Sequence, residues 1–231
     1  MAFNRLIKRV IDVSAAGMGL LVLSPVFLVV AVILKVTGEG EILFLQERMG
    51  FRNRPFRITK FATMVKSAAV MKDGDYTIQN DPRILPVGRF LRKSKINELC
   101  QLWDVVRGEM SLVGPRPQML KIHALYPPAY RDVLDRVRPG LTGVGSIVFR
   151  NEERLLTEAV DRDYCYKAQI VPYKAELEQW YVDHQSLWLD IRLLFWTLLA
   201  VVRPGDTGLA ALLPQHLRRP MSDFDGRRRG D

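Results

Sequence analysis

The stretch Val13–Leu34, VSAAGMGLLVLSPVFLVVAVIL, carries no charge over 22 residues. At about 1.5 Å per residue a helix of that length reaches roughly 33 Å, the thickness of a bilayer's hydrocarbon. A cleavable signal peptide fits poorly, because the run is long and no small-x-small site precedes a polar start. Ser24-Pro25 falls in its middle. Proline withholds a backbone N–H and crowds the preceding turn, so the pattern predicts a helix, a break and a second helix. Arg5, Lys8 and Arg9 precede the run, and Lys35, Arg48, Arg52, Arg54, Arg57 and Lys60 follow it. Positive flanks mark the cytoplasmic side, and here both flanks are positive. The expectation is a re-entrant hairpin over residues 1–36, with a kinked span and a buried soluble helix as alternatives.

No later run matches it. Leu187–Val202 is apolar over 16 residues but holds Asp190 and Arg192 and is short for a span. It reads as an interfacial or core-packed helix, with Trp180, Tyr181, Trp188 and Trp196 around it. The chain therefore divides into the hairpin 1–36, a cytoplasmic domain 37–202 and a poorly ordered basic tail 203–231, carrying Arg218-Arg219 and Arg227–Arg229. With 231 residues, 48% hydrophobic and 26% charged, disorder is excluded. Thirty-four Lys+Arg against 25 Asp+Glu leave +9, which favours a polyanionic partner. The cations are scattered and no nucleic-acid motif occurs, so nucleic acid is not expected. Two cysteines, Cys100 and Cys165, and three histidines without a CxxC pair argue against a disulfide scaffold or a structural zinc site.

In the middle, Ile42–Gln46 and Phe56–Phe61 read as two short strands around a basic turn holding Gly50, Asn53 and Pro55. Ser94 reads as the N-cap of a helix in which Ile96, Leu99, Cys100, Leu102, Trp103 and Val106 recur at helical spacing, stopped by Gly108. Asn97 and Glu98 then fall in its first turn, where N–H groups and the helix dipole favour anions, with Arg89, Arg92, Lys93 and Lys95 near in sequence. Pro115-Arg116-Pro117 holds a guanidinium on stiff backbone, suited to bidentate phosphate recognition or simply a rigid turn. Arg138-Pro139-Gly140-Leu141-Thr142-Gly143 is a tight turn. Cys100 reads as a small apolar residue, His123 as a surface or loop histidine, and Asp161 and Asp163 as a solvated helix face, with a place near a metal as their alternative.

Lys8-Arg9-Val10-Ile11-Asp12, the Ser24-Pro25 pair, Gln46–Gly50, Lys60-Phe61, Asp81-Pro82-Arg83, Val87–Arg92, Asn97-Glu98-Leu99, Gly108–Pro117, Arg138–Gly143 and Ser186–Asp190 occur in that order. The series resembles the bacterial sugar transferases, the small monotopic phosphoglycosyl transferases, from about Arg5 to Val202. The resemblance implies a helix-dominated α+β, monotopic protein at the bacterial inner membrane, with its active site on the cytoplasmic face. It implies transfer of sugar-1-phosphate from a nucleotide diphosphate sugar, usually a UDP-sugar, to polyprenol (undecaprenyl) phosphate, with release of UMP. Such a step initiates O-antigen, capsule or exopolysaccharide assembly. Mg²⁺ is the implied cofactor, and membrane lipid and a homodimer the further partners. By resemblance Asn97 and Glu98 stand at the catalytic dyad, Glu98 serving the metal. Lys60, Arg89, Arg92, Pro115, Arg116, Pro117 and Arg138 are substrate-binding positions, and Lys8, Arg9, Asp12, Ser24 and Pro25 belong to the membrane hairpin.

Three positions depart from the family pattern. The dyad Asp-Glu-Leu-Pro is Asn97-Glu98-Leu99-Cys100, the arginine after Lys60-Phe61 is Ala62, and the asparagine after Trp103 is Asp104. An amide is a poor nucleophile toward phosphorus. Four readings follow: Glu98 doubles as nucleophile and metal ligand, the acceptor phosphate attacks directly, Asp104 compensates, or the protein is an inactive scaffold that binds the same ligands.

Overall fold

The computed structural model describes residues 2–69, 77–202 and 213–227. Helix α1 (Ala2–Thr37) leads into strands β1 (Leu43–Met49) and β2 (Pro55–Phe61), then α2 (Pro86–Lys93), α3 (Gln101–Arg107), β3 (Ser111–Val113), α4 (Leu120–His123) and α5 (Pro128–Leu134). There follow β4 (Gly140–Thr142), α6 (Val144–Val148), α7 (Glu152–Glu158), α8 (Arg162–Tyr164), α9 (Val171–Asp183) and α10 (Leu187–Val202). β1 and β2 form the expected hairpin, antiparallel with Leu43 opposite Phe61 and Met49 opposite Pro55. β3 and β4 pair in parallel. Helices dominate, as expected.

The predicted break in the first helix is absent: α1 runs through Pro25 as one helix. The reason is local. Pro25 leaves the Leu21 carbonyl without its usual donor, and the Ser24 hydroxyl donates to that same oxygen at 2.8 Å. Serine thus supplies the bond that proline removes.

One face of α1 lies along the rest of the chain. Ala16, Val30 and Leu34 are buried, and Leu20, Leu23 and Phe27 are packed beside them at helical spacing. Both ends hold the same body. Lys8 Nζ reaches Asp190 at 2.7 Å, the Ser111 hydroxyl donates to Asp12 at 2.7 Å, and Arg9 donates to the carbonyls of Val105, Val106 and Met110. Farther along, Phe27 meets Phe61 edge-on with ring centroids 5.8 Å apart, and Val30 and Leu34 join Phe61, Leu91 and Cys100. Met18, Leu21, Val22, Leu28, Val29, Val32 and Val36, on the opposite face, are mostly exposed. On α10, Trp188, Ile191, Phe195, Leu198 and Val202 are likewise exposed, while Leu189, Leu193 and Ala200 are buried.

Ser94 is not an N-cap. It closes α2, its hydroxyl donating to the Phe90 carbonyl at 2.9 Å, and Lys95 then turns left-handed at φ 61°. Asn97 and Glu98 therefore sit in a separate single turn, Ile96–Glu98, ahead of α3. Gly108 does end α3, at φ 94°, a conformation glycine adopts without strain. α2 is seated through Gly88, where an added Cβ would stand 2.3 Å from the Thr63 carbonyl. Gly88→Ala is expected to destabilise the protein by about 1–3 kcal/mol, read as a lowered melting temperature.

The C-terminal segment was expected to be poorly ordered, yet residues 213–227 dock on the domain. Leu213, Leu217 and Phe224 are buried, and Phe224 stacks on Tyr173 with ring centroids 5.4 Å apart. Residues 203–212 and 228–231 of that predicted tail lie outside the described residues.

Candidate active site

β2, the turn before α3, the loop after β3, α6 and α9 converge on a cavity of about 1260 Å³. Glu98 stands in it with its carboxylate gripped by Arg116, Nη2 to Oε1 at 2.5 Å and Nη1 to Oε2 at 3.1 Å. Lys60 Nζ lies 3.7 Å from the same Oε1. The fork-on-carboxylate geometry fixes both partners in orientation. The prolines flanking Arg116 hold its loop by their carbonyls and do not line the cavity. Pro115 accepts from the Gly140 N–H at 2.8 Å, and Pro117 accepts from Arg48 Nη1 at 3.3 Å.

Ten basic side chains and five glutamates line the cavity among the described residues, an excess that suits a ligand with several negative charges. Burial lowers Lys60 to about 7, although Glu98 opposes the shift. Burial pushes the Glu98 carboxyl up, but Arg116 and Lys60 draw it well below the ordinary carboxylate range. Glu98 is therefore an anion at any physiological pH. Arg48, lowered to about 10 by burial and the nearby Arg116, remains a cation.

Asn97 lines the cavity beside Glu98, buried, with its Oδ1 lacking any partner. An orphaned buried amide oxygen next to a carboxylate is a donor set of hard oxygens. Each Glu98 oxygen also keeps acceptor capacity beyond its arginine bond. That chemistry fits Mg²⁺, which takes one or two protein oxygens and completes its shell with water and substrate phosphates. No group of three or more His, Cys, Asp or Glu side chains placed to hold a metal occurs among the described residues, so an all-protein cage is not built here.

Of the residues singled out from sequence, Lys60, Arg92, Asn97, Glu98 and Arg116 meet at this cavity. Arg92 also pairs with Glu153 at 2.6 Å. Arg89 is exposed and does not line it. Arg138 does not line it either: its Nε donates to the Gly108 carbonyl at 2.8 Å, and its guanidinium lies 5.0 Å from the Phe51 ring centre. Lys8, Arg9, Asp12, Ser24 and Pro25 serve α1, as described. Asp104 is fully buried, with one oxygen accepting the Thr59 N–H at 2.8 Å and the other its hydroxyl at 2.9 Å. It is occupied and outside the cavity, which removes it as a substitute nucleophile. His123 is buried rather than a surface residue, 3.4 Å from Asp135. Cys100 is buried as expected, and burial pushes its thiol up to about 12.

Sequence reasoning passed over Lys174 and Glu178, which line the cavity from α9. Their signal was a four-residue spacing interleaved with Tyr173, Leu177 and Tyr181, all fully or almost fully buried. Two charges on the buried side of a helix require partners.

Comparison with known proteins gives a match over residues 3–204 to the family described as bacterial sugar transferase. An undecaprenyl-phosphate glucose phosphotransferase of Komagataeibacter xylinus is 37% identical over 201 residues, 85% of this chain and 36% of that protein. A UDP-glucose:undecaprenyl-phosphate glucose-1-phosphate transferase of Klebsiella pneumoniae is 32% identical over 200 residues, 84% of this chain and 40% of its own length. The chain thus spans well under half of these two relatives. The exopolysaccharide production protein ExoY of Rhizobium meliloti is 34% identical over 208 residues, 84% of each chain.

Proposed function

The chain belongs to the bacterial sugar transferase family, and on that premise we propose that it moves a sugar-1-phosphate from a UDP-sugar to undecaprenyl phosphate at a membrane surface. The observation that carries this reading is the Glu98–Arg116 pair, set with Lys60 in a cavity rich in cations. The diphosphate of the donor supplies the negative charge this lining lacks. Glu98, with the Asn97 oxygen beside it, would hold Mg²⁺, which when bound neutralises charge on the diphosphate.

The attacking group is the acceptor's own phosphate. Asn97 is an amide, a poor nucleophile toward phosphorus, and a hydrogen bond from Arg116 to each Glu98 oxygen lowers the nucleophilicity of that carboxylate. An acceptor oxygen bonds to the phosphorus that carries the sugar. The bond from that phosphorus to the bridging oxygen breaks, and its electron pair leaves on UMP. Arg116 and Lys60 hold the phosphates in line, and positioning of this kind carries most of the catalysis in phosphoryl transfer.

The apolar outer faces of α1 and α10 lie in the cytoplasmic leaflet, and α1 does not cross the bilayer. Both ends of α1 holding the same body support this, since a spanning helix would separate them. The test is purified protein in lipid nanodiscs with Mg²⁺, undecaprenyl phosphate and a panel of UDP-glucose, UDP-galactose and UDP-N-acetylgalactosamine. UMP and a lipid-linked sugar diphosphate are expected with at least one donor. UMP no higher than in the Glu98→Gln protein, across the panel, would sink the reading.

A further inference from the structure

Resting on that reading, we propose that Glu178 is a further catalytic residue, taking the proton from the acceptor phosphate as it attacks. Glu178 is 3% exposed and lines the same cavity as Glu98. Its Oε1 accepts the Arg116 backbone N–H at 3.4 Å, and its Oε2 has no partner. A buried carboxyl with an idle oxygen costs stability. The surroundings are shaped to admit it. A Cβ on Gly145 would stand 2.5 Å from Oε1, and one on Gly143 would stand 3.7 Å from Oε2. Gly145 therefore leaves the space that this carboxyl fills, while a Cβ on Gly143 would only touch it and is barred instead by the Gly114 carbonyl at 2.2 Å.

Its position separates it from the donor side. Arg116 lies between two carboxyl groups, its guanidinium on Glu98 and its backbone N–H on Glu178. Lys60 and Lys95 gather at Glu98. On the Glu178 side, Thr142 next to Gly143 shares a hydrogen bond of 2.7 Å with Thr197 of α10. Leu194, Leu198 and Val201 of α10 line the cavity there, and Leu198 is largely exposed on the face proposed to meet lipid. A lipid phosphate arriving past α10 meets Glu178, while a soluble donor meets Glu98.

The charged and titratable groups facing Glu178 are Lys174 on its own helix, Arg116 from the loop after β3 and the Tyr126 hydroxyl. α6 contributes the Gly145 backbone N–H. Burial outweighs these and raises Glu178 to about 7. A phosphate monoester gives up its second proton near pH 6, so transfer to Glu178 runs downhill and the two groups share one proton between about pH 6 and 7. In the step, the acceptor O–H breaks and its proton goes to Glu178 Oε2. The new P–O bond forms, and the bridging P–O bond breaks toward UMP.

The test compares the full chain with Glu178→Gln and Glu178→Asp in nanodiscs, following UMP release against pH with the donor chosen by the panel. Glu178→Gln should lower kcat by about a hundredfold with the donor KM unchanged, and should remove the fall in rate above about pH 7 that loss of the shared proton causes in the wild type. Glu178→Asp should restore part of the rate and keep that fall. The raised carboxyl binds its proton more tightly folded than unfolded, so the wild type loses stability between about pH 4.5 and 7. Glu178→Gln should then melt higher than wild type at pH 8. An unchanged pH profile, a loss confined to donor KM, or a lower melting point at pH 8 would each overturn the proposal. A wild type that releases no UMP with any donor defeats the transferase reading itself.

Discussion

Glu98→Gln is expected to lower kcat/KM for UMP release by about a hundred- to a thousandfold, the scale on which loss of one preorganised charged contact acts in an active site. The substitution keeps the side chain's shape but leaves the part-buried Arg116 and Lys60 without their anion, so the variant should also melt earlier. Arg116→Lys separates the two effects. It keeps a cation beside Glu98 but loses the two-pronged grip, so activity should fall further than stability does. A pH series gives a second signature. Glu98 is held well below its unfolded value of about 4.3, so its pairing stabilises the fold fully above about pH 5 and less as the pH falls below it. The Glu98→Gln protein should lack that part of the acid-induced loss, seen by comparing melting curves at pH 4 and pH 7.

An all-or-none result is expected from labelling the two ends of α1. Arg5 lies in the first turn of α1 and Glu39 just past its end, and both are exposed, so a cysteine at either position should be readily accessible. The native thiols are a quiet background: Cys100 and Cys165 are buried, and burial pushes them up to about 12 and about 11. In inside-out vesicles a membrane-impermeant maleimide should modify Arg5→Cys and Glu39→Cys alike, and in right-side-out vesicles neither. Labelling of the two from opposite sides would mean that α1 crosses the bilayer. That outcome would break the proposed geometry while leaving the chemistry of the cavity untouched.

Local patterns were legible where one short-range interaction decides the backbone. The hairpin over Leu43–Phe61 followed from turn residues between apolar runs, and the stop at Gly108 from the left-handed turn that glycine permits. Ser94 was misread because a serine between two helical patterns can cap either one, and the choice depended on α2 seating against Thr63. Pro25 was misread because its cost was assessed without the neighbouring hydroxyl that offsets it. In the cavity, the ordered motifs brought Glu98 and Arg116 to notice, but their direct pairing spans 18 positions and depends on how the loop after β3 folds back. Glu178 carried no motif. Its place on a buried helix face showed in the spacing of Tyr173, Leu177 and Tyr181, but the room left for it by Gly145 is a relation between segments that no window along the chain contains. The docking of Phe224 against Tyr173 is of the same kind.

The most direct measurement is UMP release from UDP-sugar and Mg²⁺ with the acceptor withheld, using enzyme at a concentration that makes one equivalent visible. Direct attack by the lipid phosphate predicts no UMP until undecaprenyl phosphate is added, and no sugar-phosphate mass on the protein. A burst of one UMP per enzyme without acceptor, together with that added mass, would contradict the account.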